Sequence, residues 1–182
     1  MAFNIAEMRS QLTGGGARPT LFSVQITNPI DGVADFKVPF MVKSAQLPAS
    51  ALGQIDVPYF GRKIKIAGDR TFEDWTVTII NDEDFAIRNA MERWMNAINS
   101  HIGNLRDAAV LSPETYKTQA QITQFSKTGA AIRTYNFNGL FPTNVSAIDT
   151  SWETNDTVEE FTVTFAYDWW DVSGGSTGIS TT

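Results

Sequence analysis

Gly61-Arg62-Lys63-Ile64-Lys65-Ile66-Ala67-Gly68-Asp69-Arg70-Thr71-Phe72-Glu73-Asp74-Trp75-Thr76-Val77-Thr78-Ile79-Ile80-Asn81-Asp82-Glu83 holds two alternating runs, followed by a block of acids. Ile64 and Ile66 oppose Lys63 and Lys65, and Trp75, Val77 and Ile79 oppose Thr76, Thr78 and Ile80. A period of two predicts strands, and Gly68 predicts the tight turn between them. The two apolar faces are expected to fold the domain. Charge is left over: Arg62, Lys63, Lys65 and Arg70 stand against Asp69, Glu73 and Asp74.

Outward from this stretch the same period recurs. Gln54 to Tyr59 reads as the other arm of a hairpin with Arg62 to Ala67, joined at Phe60-Gly61. Leu21 to Thr27 places Phe22, Val24 and Ile26 on one side, and Val38 to Leu47 is mixed until Pro48 stops it. Tyr116 to Phe125 and Ile132 to Asn138 read as strands. From Phe161 to Trp169 a single strand alternates Phe161, Val163, Phe165, Tyr167 and Trp169 with Thr162, Thr164, Ala166 and Asp168. Such alternation gives one face to a core and the other to water or a partner.

One helix is expected. Asn81 or Asp82 caps it, and Asp82, Glu83 and Asp84 complement its positive end. Ile87, Met91, Trp94 and Ile98 then form one apolar stripe, and Gly103 stops it. Asn99 to Pro113 has no periodicity and reads as a surface loop that contacts neighbours. The fold expected is mainly β, an antiparallel sandwich or barrel-like domain with one packed α-helix. Residues 1–18 form an N-terminal arm, with Phe3, Ile5, Met8 and Leu12 on one side of a short helix ended by Gly14-Gly15-Gly16. Residues 19–173 are the β domain and residues 174–182 a mobile polar tail.

At 182 residues, 42% of them apolar, the chain suits one domain. Fourteen basic against 20 acidic residues leave a formal charge of −6, a poor balance for gripping nucleic acid. With no Cys there is no disulfide framework or thiolate metal site. The first residues lack the long apolar core of a signal peptide, and no stretch is long enough for a membrane anchor. The chain therefore reads as soluble.

Catalytic constellations do not emerge. His101 is the one histidine, so a cluster of imidazole ligands is ruled out. No Ser lies in a Gly-x-Ser-x-Gly elbow, and Gly14-Gly15-Gly16 lacks the Lys and hydroxyl of a phosphate loop. Glu73 and Asp74 are neighbours that point to opposite faces of a strand. Asp82, Glu83 and Asp84 fit a helix start better than a calcium loop. Neither an enzyme nor a cofactor is expected. The basic cluster suits contact with an acidic neighbour, or else a solvated β face.

Several blocks resemble the tail tube proteins of T4-like contractile-tailed phages. They are Ala17-Arg18-Pro19-Thr20-Leu21-Phe22, Leu47-Pro48-Ala49, and most of Arg62 to Glu83. Tyr116-Lys117, Gly139-Leu140-Phe141-Pro142-Thr143-Asn144-Val145, Phe161-Thr162-Val163-Thr164 and Tyr167-Asp168-Trp169 extend the likeness. The arm before Ala17, the loop from Asn99 to Pro113 and the tail after Trp170 depart from it.

The resemblance implies homohexameric rings stacked into a tube, each subunit giving strands to a continuous inner β-barrel. It implies a contractile sheath outside, baseplate proteins that initiate the tube, and a tape-measure protein and DNA in the lumen without sequence-specific binding. The location implied is the virion tail, after assembly in the host bacterial cytoplasm. A tube-like baseplate or effector-carrying secretion ring is the alternative. Arg62, Lys63, Lys65, Asp69, Arg70, Glu73 and Asp74 are then expected at subunit contacts. Arg88, Glu92, Arg93 and Asn96, opposite the helix's apolar stripe, are expected to face the sheath.

Overall fold

The computed structural model describes residues 5–173. The apolar alternation predicted for the strands resolves into two layers. The first orders β1 (Phe22–Ile26), β6 (Thr118–Phe125), β7 (Ala131–Val145) and β9 (Trp169–Ser173). The second orders β7, β8 (Glu160–Ala166), β5 (Trp75–Ile80) and β2 (Val42–Ala45). All these pairings are antiparallel.

β7 belongs to both layers because it bends at Gly139, whose φ is 71°. Residues up to Leu140 pair with β6, and residues from Phe141 pair with β8. A side chain at Gly139 would also collide with the carboxylate of Asp168. Position 139 thus needs glycine twice, for its backbone and for space.

Every second residue of β5 and β8 is buried: Trp75, Val77 and Ile79 on one, Phe161, Val163 and Phe165 on the other. They meet Val24, Ile26, Ala120, Ile122 and Phe137 of the first layer in a single core. Trp75 and Phe137 stack across it with ring centroids 4.2 Å apart. The helix α3 (Ala86–Ile98) closes this core with Ile87, Ala90, Met91 and Trp94. Its Trp94 indole donates to the carbonyl of Tyr116, which satisfies the one polar atom that the buried ring carries. Three shorter helices are α1 (Ile5–Gln11), α2 (Val38–Met41) and α4 (Pro113–Tyr116). The mixed stretch from Val38 is therefore a helical turn running into β2.

Four sequence expectations need correction. Gly68 is no turn: β4 (Arg62–Thr71) runs through it, and Phe72 to Asp74 make the connection to β5. Gly68 sits where β4 carries an extra residue opposite Gly53, and a Cβ on either glycine would lie 3.1 Å from the facing backbone. Close strand approach at a bulge, rather than a turn, is its reason. Second, Ile64 and Ile66 lie outside the core, at 56% and 51% exposure.

Third, the long C-terminal strand is two. Asp168 donates its N–H to the Asn138 carbonyl and accepts from Lys117 at 2.7 and 2.8 Å. These bonds turn the chain from the second layer into the first. Fourth, neither Asn81 nor Asp82 caps α3. Asn81 is tied to Glu159, Phe85 takes a left-handed φ of 51°, and the Asp84 carboxylate accepts from Ala86 N–H.

Ile5 and Met8 of α1 and Leu12 just after it are all exposed, so the expected apolar side of the arm is not buried against the described residues. Phe3 and the tail at 174–182 lie outside the described residues. No helix among the described residues is long and apolar enough to cross a membrane.

Candidate assembly surface

β3 (Ala51–Tyr59) and β4 form a two-stranded sheet of their own, paired with no other strand among the described residues. Two residues, Phe60 and Gly61, join them with φ of 42° and 78°. Two positive φ values match the turn whose twist suits a hairpin, at a strain cost for the non-glycine Phe60. Their register places Ile55, Val57 and Tyr59 beside Ile66, Ile64 and Arg62 on one face. Gln54, Asp56 and Pro58 lie beside Ala67, Lys65 and Lys63 on the other.

Neither face is covered among the described residues, every residue of β3 and all of β4 but Gly68 being exposed. A lone hairpin is marginal in water, because its strands bury nothing beyond each other. Covering a half-exposed Ile or Val would return on the order of 1 kcal/mol per side chain. The root, by contrast, is clamped. The Trp75 indole donates to the Gln46 carbonyl at 2.7 Å and the Trp170 indole to the Ala49 carbonyl at 3.2 Å. Phe72 packs against Tyr167 and Trp170. The hairpin is a free arm on a fixed base.

The charges read from sequence divide along this arm. Arg62, Lys63 and Lys65 lie toward the tip, with Lys63 paired to Asp56 at 3.3 Å. Asp69 and Arg70 sit at the bulge, where Arg70 reaches Ser50. Glu73 and Asp74 stand at the root beside Tyr167. Burial, then Asp74 and Glu73, push the Tyr167 phenol above its ordinary value. The expected contact residues are therefore two groups at the two ends of one arm.

Glu92, Arg93 and Asn96 are exposed on the outer face of α3, and Arg88 is half-buried. Arg88 donates to Glu92 at 2.8 Å and to the Ser146 carbonyl at 3.1 Å, with its guanidinium over the Phe161 ring. It holds the helix to the sheet. Arg93 donates to Asp31 at 2.6 Å, and the Asn96 side-chain oxygen lies 2.9 Å from the His101 ring. Glu92, Arg93 and Asn96 thus form the presentable part of this face.

Sequence reading missed three features. Asn28 is buried, donating to the Ala90 carbonyl at 3.0 Å while accepting from Ile30 and Asp31 N–H. Lys37 pairs with Asp82 and Asp84, which raises its own pKa and lowers that of Asp84. Residues 146–159 form a loop between β7 and β8, with Trp152 fully exposed amid acids. The signal for it was a Trp outside any periodic run.

No group of three or more metal-ligating side chains gathers among the described residues. A cleft of about 410 Å³ near the C-terminal end of α3 includes Ser100 and Asp107 in its lining. Both are spent on the backbone: Ser100 Oγ accepts from Leu105 N–H and Asp107 from Ala109 N–H. Neither is arranged as a nucleophile with its base.

The described residues define a two-layer β domain with an arm clamped at its root and bare beyond it. The chain belongs to the phage tail tube protein family, whose model matches residues 17–173. It is 35% identical over 160 residues to tail tube protein gp19 of Enterobacteria phage T4, covering 87% of this chain and 93% of that one. It is 26% identical over 170 residues to the tail tube protein of Serratia phage KSP90, covering 90% and 93%. In fold it is similar to a chain of the anti-feeding prophage tube-terminating cap, with a TM-score of 0.64, 17% identity, and coverage of 88% and 92%. A chain of the sheath-tube complex of an extracellular contractile injection system gives 0.63, 13% identity, and 94% and 99%. The family is one of structural virion proteins, not of enzymes.

Proposed function

We propose that this chain is the repeating subunit of the inner tube of a contractile phage tail. It assembles as stacked six-fold rings around a lumen that conducts DNA at ejection. One observation carries the reading: a member of a tube family holds out the bare β3–β4 arm from a clamped root. Unpaired edges support it. Among the described residues β1 and β2 end the path of the main sheet, and neither β3 nor β4 pairs with a third strand. Closing neighbouring sheets into one barrel satisfies such edges.

Arg62, Lys63 and Lys65 carry contacts to acids of the adjacent ring, and Asp69, Arg70, Glu73 and Asp74 carry contacts at the root. The exposed Glu92, Arg93 and Asn96, with Arg88 behind them, face the sheath. A net charge of −6 suits a conduit that DNA and a tape-measure protein occupy without sticking. Assembly takes place in the host bacterial cytoplasm, on baseplate proteins that start the tube.

Negative-stain microscopy of the purified protein tests this reading, which expects hollow tubes. Replacing Lys63 and Lys65 by Glu should stop tube growth while the monomer stays folded. Normal-length tubes from that variant would overturn the assignment of the arm. A second reading, a terminating or baseplate ring, is favoured by the equal likeness in fold to the cap. Single rings without stacking would establish it instead.

A further inference from the structure

The arm and the Trp152 loop lie at opposite ends of the same pair of strands. β5 begins at Trp75, just after the root of the hairpin, and ends at Ile80. Beyond Ile80, the Asn81 N–H donates to the Glu159 carbonyl at 2.8 Å, and its amide donates to the Glu159 carboxylate at 2.9 Å. This ties the loop at 146–159 to the far end of β5. Six residues of strand separate the two features, about 20 Å at ~3.4 Å per residue.

Their surfaces are complementary. Residues 51–71 carry four cations against two carboxylates, a balance of +2 in a chain of net −6. Residues 146–159 carry Asp149, Glu153, Asp156 and Glu159 and no Lys or Arg. Among the described residues, Arg62, Lys65 and Arg70 have no ion-pair partner, nor have Asp149, Glu153 and Asp156. Among the described residues nothing packs on the arm's apolar face, and the loop carries a wholly solvent-exposed indole and, further along it, Val158 at 66% exposure.

We infer that the apolar face of the β3–β4 arm docks on the 146–159 loop of a second copy. Trp152 seats against Val57, Tyr59 and Ile64, Arg62 on that same face meets Glu153 and Asp156, and Lys65 on the reverse face adds to the positive potential that draws the acidic loop in. The contact is head-to-tail, because donor and acceptor surfaces differ and sit at opposite ends of one strand pair. Such a contact repeats without exhausting itself, since each added copy presents the surface its predecessor used. A tube grows this way. The inference rests on the tube reading and names the acceptor surface that reading leaves open.

The test uses two full-length variants, each lacking one partner surface. R62E/K65E spoils the arm and keeps the loop; W152A/E153K/D156K spoils the loop and keeps the arm. Sedimentation velocity should show that neither stacks alone, and that the mixture pairs once and stops. Trp152→Ala by itself should raise the concentration at which assembly begins by about tenfold or more, as loss of a central aromatic anchor does. Circular dichroism keeps folding separate from association. Loop variants that assemble like the wild type, while R62E/K65E does not, would overturn this inference and leave the tube reading standing. A wild-type chain that stays monomeric at every concentration would overturn both.

Discussion

Replacing Ile64 and Ile66 together by Ala separates folding from assembly. Both side chains keep about half their surface in water, at 56% and 51%, whereas Ile79 on β5 is wholly buried. Truncating Ile79 to Ala should cost the monomer about 2–5 kcal/mol, because it removes burial and leaves a cavity in the core. Truncating both arm residues should cost it less than about 1 kcal/mol in total, in the range of surface changes. In the assembly the order reverses. Covering the exposed halves of two isoleucines is worth roughly 2 kcal/mol, which is about 30-fold in the association constant of one contact. Urea denaturation of dilute monomer measures the first quantity, and light scattering across a concentration series measures the second. An I64A/I66A monomer as destabilised as I79A would refute the placement of these residues outside the core. Unchanged assembly with an unchanged monomer would refute the role of the face.

Three further outcomes follow from the domain itself. Gly139→Ala should cost about 2–4 kcal/mol, combining a left-handed φ with a collision at Asp168. Adding Asp168→Ala should recover only the collision part in denaturation experiments. Lys37→Met removes the link to Asp82 and Asp84. The lowered Asp84 pKa contributes stability above the ordinary carboxylate range and loses it as pH falls through the lowered value. The raised Lys37 pKa contributes below the ordinary lysine range and loses it as pH climbs through the raised value. The melting-temperature gap between wild type and K37M should accordingly be constant around neutrality and close in acid; a gap that persists below pH ~2 would contradict the link. Exchanging charge on the outer face of α3, Glu92→Lys with Arg93→Glu, should leave tubes intact and weaken sheath polymerisation on them. Unaltered sheath growth would count against a sheath-facing helix.

The parts of the fold legible in sequence were those where one periodicity governs a whole element. Trp75, Val77 and Ile79 alternate into the core as expected, and Ile87, Met91 and Trp94 form the buried stripe of α3. The hairpin turn at Phe60-Gly61 was legible from its strand flanks. The errors arose where long-range contacts override local pattern. Alternation continues unbroken through Tyr167 and Asp168, and only Lys117 and the Asn138 carbonyl, far off in sequence, turn the chain there. Asp82 and Asp84 have the composition of a helix start, yet Lys37 holds both and the helix begins at Ala86. Gly68 looked like a turn because its strand partner, Gly53, cannot be read from a local window.

The misreading of Ile64 and Ile66 has a different origin. Their alternation with Lys63 and Lys65 is correct, and the register places them on one apolar face. What periodicity cannot say is whether the surface covering that face belongs to the same chain. Among the described residues nothing covers it, although its pattern is as regular as that of β5. A regular apolar face left bare is the kind of surface that marks an interaction site. The same holds for the sorted charges. Within one chain the arm's cations at Arg62 and Lys65 have no ion-pair partner among the described residues, and the fold gives them nothing to do. On the proposed docking, they and the isoleucines of the same arm find their partners in a second copy of the chain.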